Sequence, residues 1–280
     1  MHLEVGCTLR RDKCFTMGAT VAGFMALMAL VGPFVVPFDP QDMSFQPFAR
    51  PSWAHPLGVN DGGQDILSEL VHAVRNSLGF GALVGGLGLM LGVGVGLTAA
   101  WLGGLVGRLL MSCADVFMAI PSVMILILVA ALFQPSAAVL AMVLVGLSWP
   151  TTAKAVRAQA LALRSGLHVR AAAQMGASAW YVISRHLVPE MFPLYLIGFV
   201  AKARMAVFME ASLAFLGLFD PGRKSLGGMI QYALKYYYMD TWWNWLAPAV
   251  FCLSASIVAA GLLAISLEKV LDPRLRSLWG

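Results

Sequence analysis

The stretch that decides the fold is polar, and from residue 154 to residue 190 it reads KAVRAQALALRSGLHVRAAAQMGASAWYVISRHLVPE. Apolar blocks flank it at residues 137–148 and 191–218. Five of the 19 Lys and Arg residues of the chain fall inside it, namely Lys154, Arg157, Arg164, Arg170 and Arg185. Apolar blocks joined by a basic connection are typical of membrane spans linked outside the bilayer. We call residues 154–190 the basic segment.

The middle of the basic segment predicts a short helix. The run Ala171-Ala172-Ala173 favours a helix, whereas Gly176 costs about 1 kcal/mol relative to Ala inside one and so marks a bend or a close contact. Pro189 ends the segment before the next apolar run. We predict a short helix, a turn and a second helix outside the membrane. The segment is either presented to a soluble partner or an ordinary basic cytoplasmic loop.

The composition indicates an all-α integral membrane protein. The 280 residues are 59% hydrophobic and only 12% charged, whereas soluble domains carry about 25% charged residues. The apolar runs are too long for barrel strands and fit helices. The net charge of +5 follows membrane topology rather than a nucleic-acid surface, so membrane lipid is expected around the chain and no nucleic acid.

Hydropathy divides the chain into six predicted transmembrane helices. The predicted spans are 15–36, 78–101, 116–133, 137–152, 192–218 and 245–267. The predicted parts are an N-terminal piece 1–14, a first span 15–36, an extracytoplasmic segment 37–77, a core transmembrane domain 78–268 that includes the basic segment, and a tail 269–280. Glycines recur every fourth residue in span two, which predicts close packing against neighbouring helices.

The distribution of basic residues predicts that both termini are cytoplasmic. With the N-terminus inside, the cytoplasmic parts hold twelve: Arg10, Arg11, Lys13, Arg108, Lys154, Arg157, Arg164, Arg170, Arg185, Lys269, Arg274 and Arg276. The external parts hold five: Arg50, Arg75, Arg223, Lys224 and Lys235. Because cytoplasmic loops carry the excess of Lys and Arg, the basic segment is predicted to be cytoplasmic.

No motif for catalysis is present in the sequence. It contains no G-x-x-x-x-G-K-[ST] phosphate loop, no H-E-x-x-H and no G-x-S-x-G, so no catalytic residue and no cofactor are predicted. No two of the five histidines are spaced i, i+4 and no cysteines form a CxxC pair, so no metal site is predicted. A conduit is better supported than an intramembrane enzyme.

Span five holds three charged residues, Lys202, Arg204 and Glu210, in an otherwise apolar run. A charge at the centre of the bilayer costs about 2.5–3.5 kcal/mol on insertion scales, so such residues normally face a bundle interior or a watery cavity. Lys202 and Glu210 lie about 80° apart around the helix axis, whereas Arg204 lies about 120° from Glu210. They either line a pore or form a structural ion pair with a neighbouring helix.

Five motifs resemble those of permeases of ATP-binding-cassette (ABC) importers, and they occur in this chain in the order in which the family has them. Ala171-Ala172 with Gly176 and Pro189 resembles the E-A-A-x-x-x-G loop of that family. His55-Pro56-Leu57-Gly58 with Asp65-Ile66-Leu67-Ser68 is similar to its HPLGTDxxGRDxLSR segment, and Asp115 with Pro121-Ser122 to its D-x-x-x-x-x-P-S element. Residues 210–218 resemble EASLSFLGLG, and residues 272–276 match DPRLR. The chain is similar to the second permease subunit of dipeptide, oligopeptide and nickel importers.

The resemblance implies a type I permease fold and a set of partners. These are a homologous second permease subunit, two ATP-binding subunits and an extracytoplasmic substrate-binding protein. It further implies that part of the basic segment couples the permease to an ATP-binding subunit: Arg170, Ala171, Ala172, Gly176, Ala177 and Ser178. The chain departs from the family at Arg170, where the motif has Glu, at Val59-Asn60 in place of Thr-Asp, and at Gln64 in place of Arg.

The predicted function is that of a permease subunit in the inner membrane of a bacterium or archaeon. It would form half of a translocation pore and couple ATP hydrolysis by other subunits to the uptake of peptides, without being an enzyme itself. Uptake of nickel or another metal chelate by the same family is the first alternative. A membrane scaffold or sensor subunit that transports nothing is the second.

Overall fold

The computed structural model describes residues 12–220, 222–240 and 242–271. Its helices are α1 (Lys13–Val35), α2 (Ile66–Leu102), α3 (Gly104–Ala119), α4 (Ser122–Phe133), α5 (Ala137–Arg164), α6 (Leu167–Gln174), α7 (Ala179–Val182), α8 (Val188–Glu190), α9 (Phe192–Phe215), α10 (Leu226–Lys235) and α11 (Trp242–Leu271). A π-helical turn, Ile183–Leu187, joins α7 to α8. Within these described ranges the only β pairing is an isolated bridge between Val59 and Asp65, so the predicted all-α class is confirmed.

In the part of the chain that the structure describes, five helices are long and apolar enough to cross a membrane, namely α1, α2, α5, α9 and α11. Helices α3 and α4 pass the same test together, but they are bent by 68° and make a sixth span only if the pair counts as one. The bend lies at Pro121, between the two helices. The residue before it, Ile120, is extended (φ −96°, ψ 124°), as expected because the proline ring disfavours the helical conformation there.

Helix α2 begins twelve residues before the predicted start of span two, at Ile66 instead of Leu78. The Asp65 side chain caps it by accepting a hydrogen bond from the Ser68 amide at 2.8 Å. No Gly or Pro interrupts residues 66–78, so their polarity does not stop the helix. At 37 residues α2 is about 55 Å long, well beyond a hydrocarbon layer of about 30 Å.

Other predicted bounds also differ from the structure. Helix α5 continues past Thr152 to Arg164, so the basic segment begins as the end of a span. The connection between predicted spans five and six contains the ten-residue helix α10, and α11 starts at Trp242 rather than 245. Residues 1–11 and 272–280, with the DPRLR motif, lie outside the described residues.

The glycines of α2 bring this helix against two neighbours at once. A Cβ atom built on Gly81 would lie 2.6 Å from Val207 of α9. One built on Gly92 would lie 2.6 Å from Thr152 of α5, and one on Gly96 would lie 2.6 Å from the Ala153 carbonyl oxygen. Real Cβ atoms do not approach so closely, so these positions require Gly. The predicted close packing is confirmed, and α2 lies between α5 and α9.

Candidate functional site

The predicted coupling residues lie on α6 and on the turn after it. Helix α6 ends in a Schellman motif, in which the Ala177 amide donates to the Ala172 carbonyl at 3.1 Å and Gly176 adopts φ +84°. A Cβ built on Gly176 would meet no heavy atom within 4 Å, so within this chain Gly176 makes a bend and not a close contact. Ser178 then caps α7, because its hydroxyl accepts from the Tyr181 amide at 3.3 Å.

Helix α6 packs one face against its own chain and exposes the other. Val169 and Ala172 are buried, whereas Arg170 and Ala171 are exposed. Arg170, which replaces the acidic residue of the motif, has no ion-pair partner within the described part of the chain. Its guanidinium and the small side chain of Ala171 are therefore free to meet another protein.

Exposed apolar side chains flank this face and were missed by the sequence analysis. Leu167, Met175 and Trp180 are 84%, 82% and 76% exposed. Large apolar residues that cluster on a surface between polar neighbours mark interaction sites. The signal was available in the sequence, since all three interrupt a polar segment, but only the fold shows that none of them is buried.

The end of α5 anchors the basic segment to the helical bundle. The Arg164 guanidinium donates from Nη1 to the Ala100 carbonyl at 3.1 Å and lies 4.8 Å from the centre of the Trp101 ring. It thereby satisfies a carbonyl in the last turn of α2, where a cation is favourable. Lys154 forms an ion pair with Asp115 of α3. These contacts join the base of the segment to α2 and α3.

Lys202 is buried between three helices rather than in an open cavity of this chain. Its side chain is packed along Gly88 of α2, and its ammonium group donates to the Ser148 carbonyl of α5 and lies 3.5 Å from the Thr151 hydroxyl. The residue is 6% exposed. Hydrogen bonds to a neighbouring helix offset part of the cost of burying the charge.

Glu210 is enclosed nearer the other end of α9 and is 1% exposed. Its carboxylate accepts a hydrogen bond from the Ser77 hydroxyl of α2 at 2.9 Å, and Ser77 in turn accepts from the Leu226 amide of α10 at 3.3 Å. This chain of hydrogen bonds connects α9, α2 and α10. It fixes the start of α10, because the Leu226 amide belongs to the first turn of that helix.

Arg204 differs from the other two charged residues because it is exposed. It lines a mainly apolar cavity of about 220 Å³ between α1, α2, α9 and α11, and Gly261 leaves room for the guanidinium. Among the described residues, Lys202, Arg204 and Glu210 form no ion pair. The structure thus places the three charges in separate surroundings, and a pore-lining role for them stays a prediction.

A second polar cluster lies at the end of the bundle opposite the basic segment. Asn60 donates to Gln64 at 3.0 Å and to Glu69 at 2.9 Å, and the Lys224 ammonium lies 3.1 Å from the other Glu69 oxygen. Two departures from the family motif, Asn60 and Gln64, are thus members of one network. The Lys224 ammonium also donates to Gln64 Oε1 at 2.5 Å, so a cation lies beside Gln64.

The polar cluster borders a cavity of about 300 Å³. Charged side chains of both signs line it, namely Asp61, Glu69, Asp220, Arg223 and Lys224. A cavity of this kind suits a polar or charged molecule better than an apolar one. No part of the sequence analysis singled it out, because its residues come from segments about 150 residues apart.

A bundle of apolar helices around buried polar contacts, with an ordered basic segment at one end, defines a polytopic membrane protein. Residues 88–277 match the family described as binding-protein-dependent transport system inner membrane component. Residues 7–51 match the N-terminal transmembrane domain of oligopeptide transport permease C. The chain belongs to this family and is a permease subunit of an ABC importer, which confirms the predicted class.

The similarity to known permeases extends over most of the length of both chains. A Brucella abortus protein named for a peptide transport system is 31% identical over 96% of this chain and 90% of that protein. The oligopeptide transport system permease protein OppC of Mycobacterium tuberculosis is 30% identical, over 96% of this chain and 92% of its own. The dipeptide transport system permease protein DppC of Bacillus subtilis is 27% identical, over 96% and 84%.

Proposed function

We propose that this permease subunit imports peptides and that partner subunits hydrolyse the ATP. A homologous permease subunit would complete the pore, one of two ATP-binding subunits would dock on the basic segment, and a substrate-binding protein would deliver the peptide. The names of the similar proteins support peptides over nickel as the substrate. The charged cavity agrees with a polar substrate. A scaffold that transports nothing has no support from this family.

The proposal includes an orientation in the bacterial or archaeal inner membrane. Both termini and the basic segment would be cytoplasmic, because this arrangement places the excess of Lys and Arg inside. The polar cluster around Glu69 and Lys224 would then face the side from which a binding protein delivers its substrate. The two ends of the bundle would therefore meet two different partners.

One observation carries the docking proposal, namely the exposed surface of α6 and its turn. Small residues at Ala171 and Gly176 let another backbone approach closely, while Leu167, Met175 and Trp180 supply apolar area that water covers in the isolated subunit. Burying a side chain of this size contributes about 1.5–3 kcal/mol. Arg170 would meet an acidic side chain or backbone carbonyls of the ATP-binding subunit.

The docking proposal is tested by a substitution that places a charge within this apolar surface. Met175→Asp keeps the fold, because Met175 is 82% exposed, but it should reduce co-purification of the ATP-binding subunits with the permease pair at least tenfold. Trp53→Asp is the matched control, because Trp53 is fully exposed in the segment before α2, far along the chain from α6. Normal retention of the ATP-binding subunits by the Met175 variant would refute docking on this surface.

A further inference from the structure

Two histidines and one glutamate from different parts of the basic segment converge at its surface. His168 lies on α6, His186 in the π-helical turn and Glu190 at the end of α8. One ligand atom from each lies within 4.8 Å of the other two. His168 Nε2 is 2.9 Å from Glu190 Oε1, and the two imidazole rings are 5.9 Å apart. The group is open to solvent, since the side chains of His168 and Glu190 are 51% and 38% exposed.

The fold, and not the spacing in the sequence, creates this group. The search for histidine pairs at i, i+4 missed it because His168 and His186 are 18 residues apart. The Schellman turn after α6 reverses the chain, so that the helical stretch from Ala179 runs back past His168. The π-helical turn inserts an extra residue into the helical path and changes where His186 points; such turns are frequent at functional sites.

We infer that His168, His186 and Glu190 form a binding site for a divalent transition-metal ion of the zinc class. Two imidazole nitrogens and one carboxylate oxygen form a ligand set of zinc sites that keep a fourth position for water. Imidazole and carboxylate together favour zinc and its neighbours in the first transition row over Mg²⁺ or Ca²⁺. A structural ion pair between His168 and Glu190 alone would leave His186 without a part in the group.

The observed distances are close to those that a tetrahedral ion requires. Bond lengths of about 2.0–2.1 Å place the ligand atoms of a tetrahedral zinc ion roughly 3.3 Å apart. The pair at 2.9 Å must widen slightly and any wider separation, all of them being within 4.8 Å, must close, which calls for rotation of the exposed His168 and Glu190 side chains. Binding breaks the contact between His168 Nε2 and Glu190 Oε1, since the ion requires the free nitrogen lone pair.

A bound ion would clamp α6 to the helical path that leads into α9. His168 belongs to the helix that we propose docks on the ATP-binding subunit, and Glu190 lies two residues before α9. The consequence for coupling rests on that proposed function, whereas the metal site does not. An ion at this position would fix the angle between α6 and α9 and so limit how far docking motions can tilt one against the other.

The metal site is tested on the full-length permease pair, purified in detergent with a tag that contains no histidine and treated with chelator. Co²⁺ is titrated and followed by its visible absorption, and Zn²⁺ is then added as competitor. We expect one saturable site per copy of this chain with a Zn²⁺ Kd of about 10 µM or tighter. The variants His168→Ala, His186→Ala and Glu190→Gln should each weaken binding at least tenfold. His72→Ala is the control, because His72 hydrogen-bonds to the Ser68 carbonyl in α2.

A second measurement keeps the test independent of folding defects. Zn²⁺ at 100 times its Kd should stabilise the parent protein and His72→Ala against heat, because it binds the folded state, and should not stabilise His186→Ala. The inference is overturned if Zn²⁺ binds no tighter than about 1 mM, or if the three ligand variants bind it as well as the parent. Because the assay needs no ATP-binding subunit, its result is separate from that of the docking experiment.

Discussion

Replacing Lys224 with Met should destabilise the permease far more than breaking a surface ion pair of the same length. Lys224 and Glu69 lie 3.1 Å apart, with side chains that are 20% and 4% exposed. Arg50 and Asp240 are also 3.1 Å apart, but their side chains are 80% and 84% exposed. The two pairs therefore differ in burial and not in length, which makes the second a matched control for the first.

The expected magnitude follows from what Lys224→Met leaves behind. The Glu69 carboxylate stays buried with Asn60 as its remaining hydrogen-bond donor, and removal of one partner of a buried pair costs about 3–5 kcal/mol. Arg50→Met breaks an exposed pair, which contributes about 0–1 kcal/mol. At about 2–4 °C per kcal/mol, Lys224→Met should lower the apparent Tm by about 6–20 °C and Arg50→Met by no more than about 4 °C.

The assay is thermal unfolding of the detergent-purified permease pair, with the double variant Lys224→Met/Glu69→Gln completing a cycle. Glu69→Gln removes the buried charge, so the double variant should recover most of the Tm that Lys224→Met loses. Equal small losses of Tm for Lys224→Met and Arg50→Met would refute the reasoning. So would a double variant whose loss of Tm is the sum of the losses measured for Lys224→Met alone and Glu69→Gln alone.

Three further predictions concern the basic segment, α9 and the topology. Glu210→Gln should leave assembly with the partner permease intact, because the amide oxygen can still accept from Ser77, and it should lower the Tm by less than the double variant Glu210→Gln/Ser77→Ala does. Loss of assembly would show that the negative charge itself is required. Gly176→Leu should uncouple ATP hydrolysis from uptake while Gly176→Asn is close to normal, since Asn tolerates the positive φ that Leu does not; equal activity of the two variants would count against the bend as the cause. Cysteines at Ser165 and Ala54, in a background without native cysteines, should label from opposite sides of the membrane, and labelling from the same side would contradict the proposed orientation.

Local patterns predicted the spans and the glycine packing because both depend on neighbours along one helix. The glycines of α2 repeat every fourth residue, so they fall on one face and bring the helix against α5 and α9. The bend at Pro121 agrees with the restriction that proline places on the residue before it, whereas Pro33, Pro150 and Pro248 lie inside continuous helices.

The remaining features depend on contacts between distant parts of the chain. Lys224 finds Glu69 across 155 residues, and nothing near either residue in the sequence indicates the pairing. The start of α2 at Ile66 was missed because hydropathy reports the apolar layer and not the extent of a helix that continues beyond it. Lys202 and Glu210 were predicted to share one broad face, but α9 packs them against different partners, Ser148 and Ser77.

The central claim is that this chain forms part of a peptide conduit driven by ATP hydrolysis in other subunits, and uptake into proteoliposomes tests it most directly. The four-subunit core is reconstituted with ATP inside the vesicles, and the binding protein with a labelled oligopeptide is added outside; vesicles without ATP and a parallel sample with labelled Ni²⁺ are the controls. Our account predicts that the peptide accumulates only with ATP, and that Ni²⁺ does not accumulate. A core that assembles and hydrolyses ATP but accumulates no peptide would contradict it.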